Sequence, residues 1–174
     1  MTTSKKRRRL LDRRKGTLVL DGLPLRLESQ GYNMGLPAKC YMAAYRIACD
    51  MQCHGVAANC VMLCQGVVLC RHESSEWCGQ RIMHAWVEWK VNGAWLVADG
   101  SRPGHPVWLG TRDQYYAAAD TREADVWRYS MKEAVGLVSR LEHYGPFRKP
   151  KVASDDWSES DEAKLDAAGF YVDE

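Results

Sequence analysis

Hydrophobic and polar positions change period several times along the chain. Thr17–Leu20 and Leu23–Leu27 are short apolar or alternating runs around Asp21-Gly22, a hairpin turn signal. Ala44, Ile47, Ala48 and Met51 then recur at helical spacing. Pro37 suits the first turn of that helix, and His54-Gly55 ends it. Residues 59–71 are β-branched and apolar, which predicts a strand with a bulge or bend at Gly66. Residues 72–80 read as a polar loop. Ile82–Val91 and Ala94–Ala98 flank Asn92-Gly93, a strong signal for a two-residue hairpin turn. Residues 112–122 read as a helix carrying Tyr115 and Tyr116 along the border of a cleft. Ser130 and Glu133 form a capping box. The helix it opens places Met131, Val135 and Val138 on one face and runs to Gly145-Pro146. Helix, antiparallel sheet, helix is the order of an α+β domain.

Composition adds limits. The chain has 174 residues, 46% hydrophobic and 26% charged, which fits one globular domain. No apolar run approaches the roughly 20 residues of a membrane span. The basic start has no apolar segment behind it, so it does not read as a secretory signal. Seven cysteines, an odd number, then point to reduced thiols and a cytoplasmic location.

Charge is uneven. Residues 1–15 carry eight basic side chains against Asp12 alone, and residues 154–174 carry eight acidic side chains against Lys164 alone. The reading is a basic arm over 1–15, a folded domain over 16–150 and an acidic tail over 151–174. The arm is a candidate contact for nucleic acid or an acidic partner.

The Asn92-Gly93 turn also fixes a register. With Val91 opposite Ala94, Trp86 falls opposite Asp99 and His84 opposite Ser101. Period-two alternation puts all four side chains on one sheet face. His84 and Asp99 are then diagonal neighbours, within reach of each other. The carboxylate can orient the imidazole and leave its second nitrogen as a base. Trp86 shares the face and is expected to wall the site. Cys40 sits in the first turn of its helix, where the dipole and unpaired N–H groups favour a thiolate. Thiolate, imidazole and carboxylate make a nucleophilic triad, and the helix start offers oxyanion donors.

Cys40 opening a helix, Gln65-Gly66-Val67 in a strand, His84-Ala85-Trp86-Val87-Glu88, then Asn92-Gly93-Ala94-Trp95 and Asp99 resemble the transglutaminase-like superfamily of papain-like cysteine enzymes. The likeness covers roughly residues 37 to 101 and suggests a small member of bacterial or phage type. It implies a catalytic helix packed on an antiparallel sheet, with further helices on the C-terminal side. It implies Cys40 as nucleophile, His84 as general base and acid, and Asp99 as the orienting residue. The reaction it implies is acyl transfer through a thioester, without a cofactor, on a protein or peptide. Peptide or isopeptide hydrolysis or glutamine deamidation is expected ahead of crosslinking. Gln30, Tyr32 and Asn33, just upstream of Cys40, are candidate oxyanion or substrate-binding side chains by the same analogy. Two departures stand out. Asp99 is followed by Gly100-Ser101 where Pro-Thr or Pro-Ser is commoner, and Cys40 is followed by Tyr41, not Trp.

Two rival readings remain. Cys49, Cys53, His54, Cys60 and Cys64, with Cys70 and Cys78 beyond, could supply zinc ligands, although no C-x2-C pair is present. The alternative function is a non-catalytic protein- or nucleic-acid-binding module on the same fold.

Overall fold

The computed structural model describes residues 17–20, 23–26, 39–71, 77–100 and 107–149. Both charged arms and the segment bearing Gln30, Tyr32 and Asn33 lie outside the described residues. Among the described residues the fold is α+β, with a five-stranded antiparallel sheet and three α-helices. No helix among the described residues is long and apolar enough to cross a membrane.

Strands β1 (Thr17–Leu20) and β2 (Leu23–Arg26) pair as a hairpin with Leu20 opposite Leu23. Helix α1 spans Lys39–Cys53, so Cys40 lies in its first turn as the sequence predicts. Its C-terminal end closes where the Val56 N–H donates to the Met51 carbonyl, the six-to-one bond of a Schellman cap.

The main sheet has the order β6-β5-β4-β3-β7. Strand β3 (Val61–Leu69) follows a short 3-10 turn at Ala58–Cys60. It pairs with β4 (Arg81–Val91) in unbroken register from Val61↔Trp89 to Leu69↔Arg81. The expected bulge at Gly66 is therefore absent. Gly66 stands opposite His84, and a Cβ there would lie 3.1 Å from the Asp125 carbonyl and 3.3 Å from the Trp86 ring. Close approach, not a bend, explains the glycine.

Strand β5 (Ala94–Asp99) returns from β4 through Asn92 and Gly93, with φ of 51° and 84°. Two positive φ values define the type I′ turn that Asn-Gly favours. The register runs from Val91↔Ala94 to Val87↔Ala98, as predicted. Strand β6 (Trp108–Thr111) pairs with β5 and leads into α2 (Arg112–Ala119), closed by a Thr111–Gln114 capping box. Strand β7 (Val126–Ser130) pairs with β3 and feeds α3 (Met131–Leu141) through the Ser130–Glu133 box. Helix α3 stops at Leu141, four residues before Gly145. Its buried residues are Met131 and Ala134, whereas Val135 is exposed.

Alternation gives the sheet two faces. Leu63, Val67, Ala85, Val87, Trp89 and Ala98 join residues of α1 and α3 in one apolar core. Gln65 is fully buried on that face. Its amide donates to the Tyr144 carbonyl at 3.4 Å and accepts from the Phe147 N–H at 2.9 Å. It thereby ties the segment after α3 to the sheet. Cys64, Val68, Trp86, Val97 and Val126 face the other way and pack with Tyr115 of α2.

Candidate active site

The site begins with the Asn92-Gly93 turn. It sets the β4–β5 register, which brings His84 and Asp99 to one face. The His84 Nε2 lies 2.9 Å from Asp99 Oδ2. With Nε2 committed to the carboxylate, Nδ1 is the ring nitrogen available to another partner. Cys40 also bears on the imidazole, by charge and by side-chain hydrogen bonding. The structure thus joins Cys40 on α1, His84 on β4 and Asp99 on β5 in one connected line.

His84 and Cys40 are nearly buried, at 7% and 8% exposed. Burial opposes a charged imidazolium. The negative charges and hydrogen bonds of Asp99 and Cys40 outweigh it and hold the His84 pKa well above the usual imidazole value. The helix start adds a positive dipole end and backbone N–H groups beside the thiol.

Trp86 is expected to wall the site, but its side chain is not on the surface. It is fully buried and stacks on His84 with ring centroids 6.3 Å apart at 26°. Its Nε1–H donates to Glu88 Oε1 at 3.3 Å. The ring supports the imidazole from inside the protein, because the His84 face is covered by α2.

Two features went unread in the sequence. The first is Tyr115, expected at a cleft border but without a partner. Its hydroxyl donates to Asp99 Oδ2 at 3.0 Å. Its ring lies between Trp86 and Trp108, at 5.2 and 5.0 Å between centroids. The second is Glu88, whose side chain is fully buried. Its carboxylate takes Arg112 at 2.6 Å and Arg128 at 3.2 Å, and accepts from the Tyr116 hydroxyl at 2.6 Å. Burial pushes the Glu88 pKa up, but Tyr116 and the two guanidinium groups prevail and lower it. Period two already places Glu88 on the His84 face. A carboxylate on a covered face must find cations or protonate, which was the available signal.

All seven cysteines are free thiols. Burial pushes the Cys64 pKa well up, with Glu88 adding to it, and burial also raises that of Cys49. Neither environment makes a thiolate. Among the described residues, no three His, Cys, Asp or Glu side chains converge as metal ligands.

No family model matches the chain. Neither the curated proteins nor the solved structures contain a significant match to it.

Proposed function

We propose that this protein is a thiol acyl-transfer enzyme built on a papain-like, transglutaminase-like core. The reading rests on one observation: the Cys40 thiol, His84 imidazole and Asp99 carboxylate form a single hydrogen-bonded line at a helix start. The Cys40 thiolate attacks the carbonyl carbon of an amide, peptide or isopeptide bond. The carbonyl oxygen becomes an oxyanion, which the N–H groups of the first α1 turn are placed to receive. The His84 imidazolium gives its proton to the leaving amine as the C–N bond breaks and the thioester forms. Neutral His84 then takes a proton from the acceptor, which displaces Cys40 and regenerates the ion pair. Asp99 keeps the ring oriented and compensates its charge throughout.

Water is the simplest acceptor, because it needs no second binding site. Hydrolysis of a peptide or isopeptide bond, or deamidation of glutamine, is therefore proposed ahead of crosslinking.

The test is to incubate the protein with peptide, isopeptide and glutamine-peptide amides, and to follow amine or ammonia release with intact-mass detection of acyl adducts. The expected result is release plus an adduct confined to Cys40, both absent in Cys40→Ala. Folded protein that gives neither across the set would overturn the enzyme reading.

A further inference from the structure

Tyr115 stands outside the three residues of the proposed triad but touches one of them. Its hydroxyl and the His84 ring nitrogen meet the same carboxylate oxygen, Asp99 Oδ2, at 3.0 and 2.9 Å. A carboxylate oxygen has lone pairs for two donors, and two donors converging on it fix the rotation of the group. Without the second donor, one of the bonds that fix Asp99 Oδ2 against His84 Nε2 is lost.

The surroundings hold Tyr115 in place. Its ring is wedged between Trp86 and Trp108. Trp108 is the direct β6 partner of Asp99 across the strand pair. The next residue, Tyr116, is bound to buried Glu88, and Arg112 at the start of α2 pairs with the same carboxylate. Helix α2 is thus pinned at two points, and Tyr115 projects from between them.

We infer that Tyr115 is a positioning residue, which holds the Asp99 carboxylate in the orientation that stabilises the His84 imidazolium. This rests on the triad reading above. Burial and the Asp99 charge push the Tyr115 pKa well above the usual phenol value, so the hydroxyl remains a donor across the working pH range. The titratable groups around it are Cys40 from α1, Cys64 from β3, His84 from β4 and Asp99 from β5. Burial keeps Cys64 protonated.

The experiment measures Cys40 alkylation by iodoacetamide, with peptide mapping, as the ratio of rates at pH 6 and pH 9. A high ratio reports thiolate held by imidazolium. Tyr115→Phe keeps the ring and removes the donor. The expected result is a ratio lower by about tenfold, the scale of one hydrogen bond to a charged group. Asp99→Ala should lower the ratio as well, and adding Tyr115→Phe to it should change nothing further, because Tyr115 acts through Asp99. A ratio unchanged in Tyr115→Phe, or an equal further drop in the Asp99→Ala background, would overturn the inference while leaving the triad intact. A low ratio in the wild type would overturn the triad itself. If Tyr115→Phe does not fold, wild-type protein carrying 13C at tyrosine Cζ supplies the answer. The Tyr115 signal must then shift through the pH range in which Cys40 becomes reactive, and a static signal contradicts the inference.

Discussion

The two faces of the central sheet solve the burial problem differently. Against α1 and α3, the sheet presents Leu63, Val67, Ala85, Val87 and Trp89, with Gln65 as its fully buried polar side chain. Against α2 it presents His84, Trp86 and Glu88, and the helix answers with Tyr115, Tyr116 and Arg112. Apolar packing tolerates small shifts of a helix over a sheet, since dispersion and burial are non-directional. A buried carboxylate held by two guanidinium groups and a hydroxyl does not, because each bond has its own distance and angle. The site lies where the faces meet. Cys40 comes from the apolar layer, while His84 and Asp99 come from the polar one. The lesson is that Cys40 is delivered by general packing and its partners by directional bonds.

Breaking the meeting point has the largest expected effect. Cys40→Ala or His84→Ala should lower acyl transfer by about 10³-fold or more, with unfolding midpoints close to wild type. Release assays on the peptide amides check the first part and urea titration the second.

Next come matched truncations on the two faces. Glu88→Ala removes the buried anion shared by Arg112 and Arg128, leaving them the more exposed Glu123, and should cost about 3–5 kcal/mol. Leu63→Ala leaves a cavity and should cost about 2–5 kcal/mol. Stability alone does not separate them, but Cys40 reactivity does. Per folded molecule, Leu63→Ala should retain it, whereas Glu88→Ala should lose it as α2 and Tyr115 shift. Equal loss in both would erase the proposed difference between the faces.

The polar face should also be the pH-sensitive one. The Glu88 pKa is lowered on folding. Its contribution is therefore present above its unfolded value of about 4.3 and is lost as pH falls through the folded one. His84 has the opposite sign. Its pKa is raised, so its contribution is complete below about pH 6.5 and disappears as pH rises through the folded value. Urea midpoints at several acid pH values should fall more steeply in the wild type than in Glu88→Leu.

The smallest effect expected is that of Gly66→Ala. Its Cβ would press on the Asp125 carbonyl and the Trp86 ring. The cost should be about 1–3 kcal/mol, read by thermal melting, with a small decrease in Cys40 reactivity transmitted through Trp86 and His84.

Much of the frame was legible because local rules decide it. The Asn92-Gly93 turn fixed the β4–β5 register and with it the meeting of His84 and Asp99. Helical spacing and the capping box located α1 and the start of α3. Strands β6 and β7 were missed because each is short and rich in side chains that pack on both faces: Trp127 and Tyr129 point one way, Val126 and Arg128 the other. Gly66 departs from the expected bulge because a strand glycine signals either a bulge or a close approach, and only the position of Trp86 decides between them. Helical spacing puts Val135 on the buried face of α3, but Ala134 takes that place, since a small residue lets the helix approach the sheet. The Tyr115–Asp99 and Arg128–Glu88 pairs span 16 and 40 residues. No local pattern carries such partners.

The central claim is that Cys40 is a thiolate paired with an imidazolium. It is tested most directly by the alkylation rate of each cysteine against pH, in the wild type and in His84→Ala. The account predicts that Cys40 alone reacts rapidly below pH 7 and that His84→Ala abolishes this acid-side reactivity. A Cys40 that reacts like an ordinary thiol of pKa about 8.5, unchanged by His84→Ala, would contradict it.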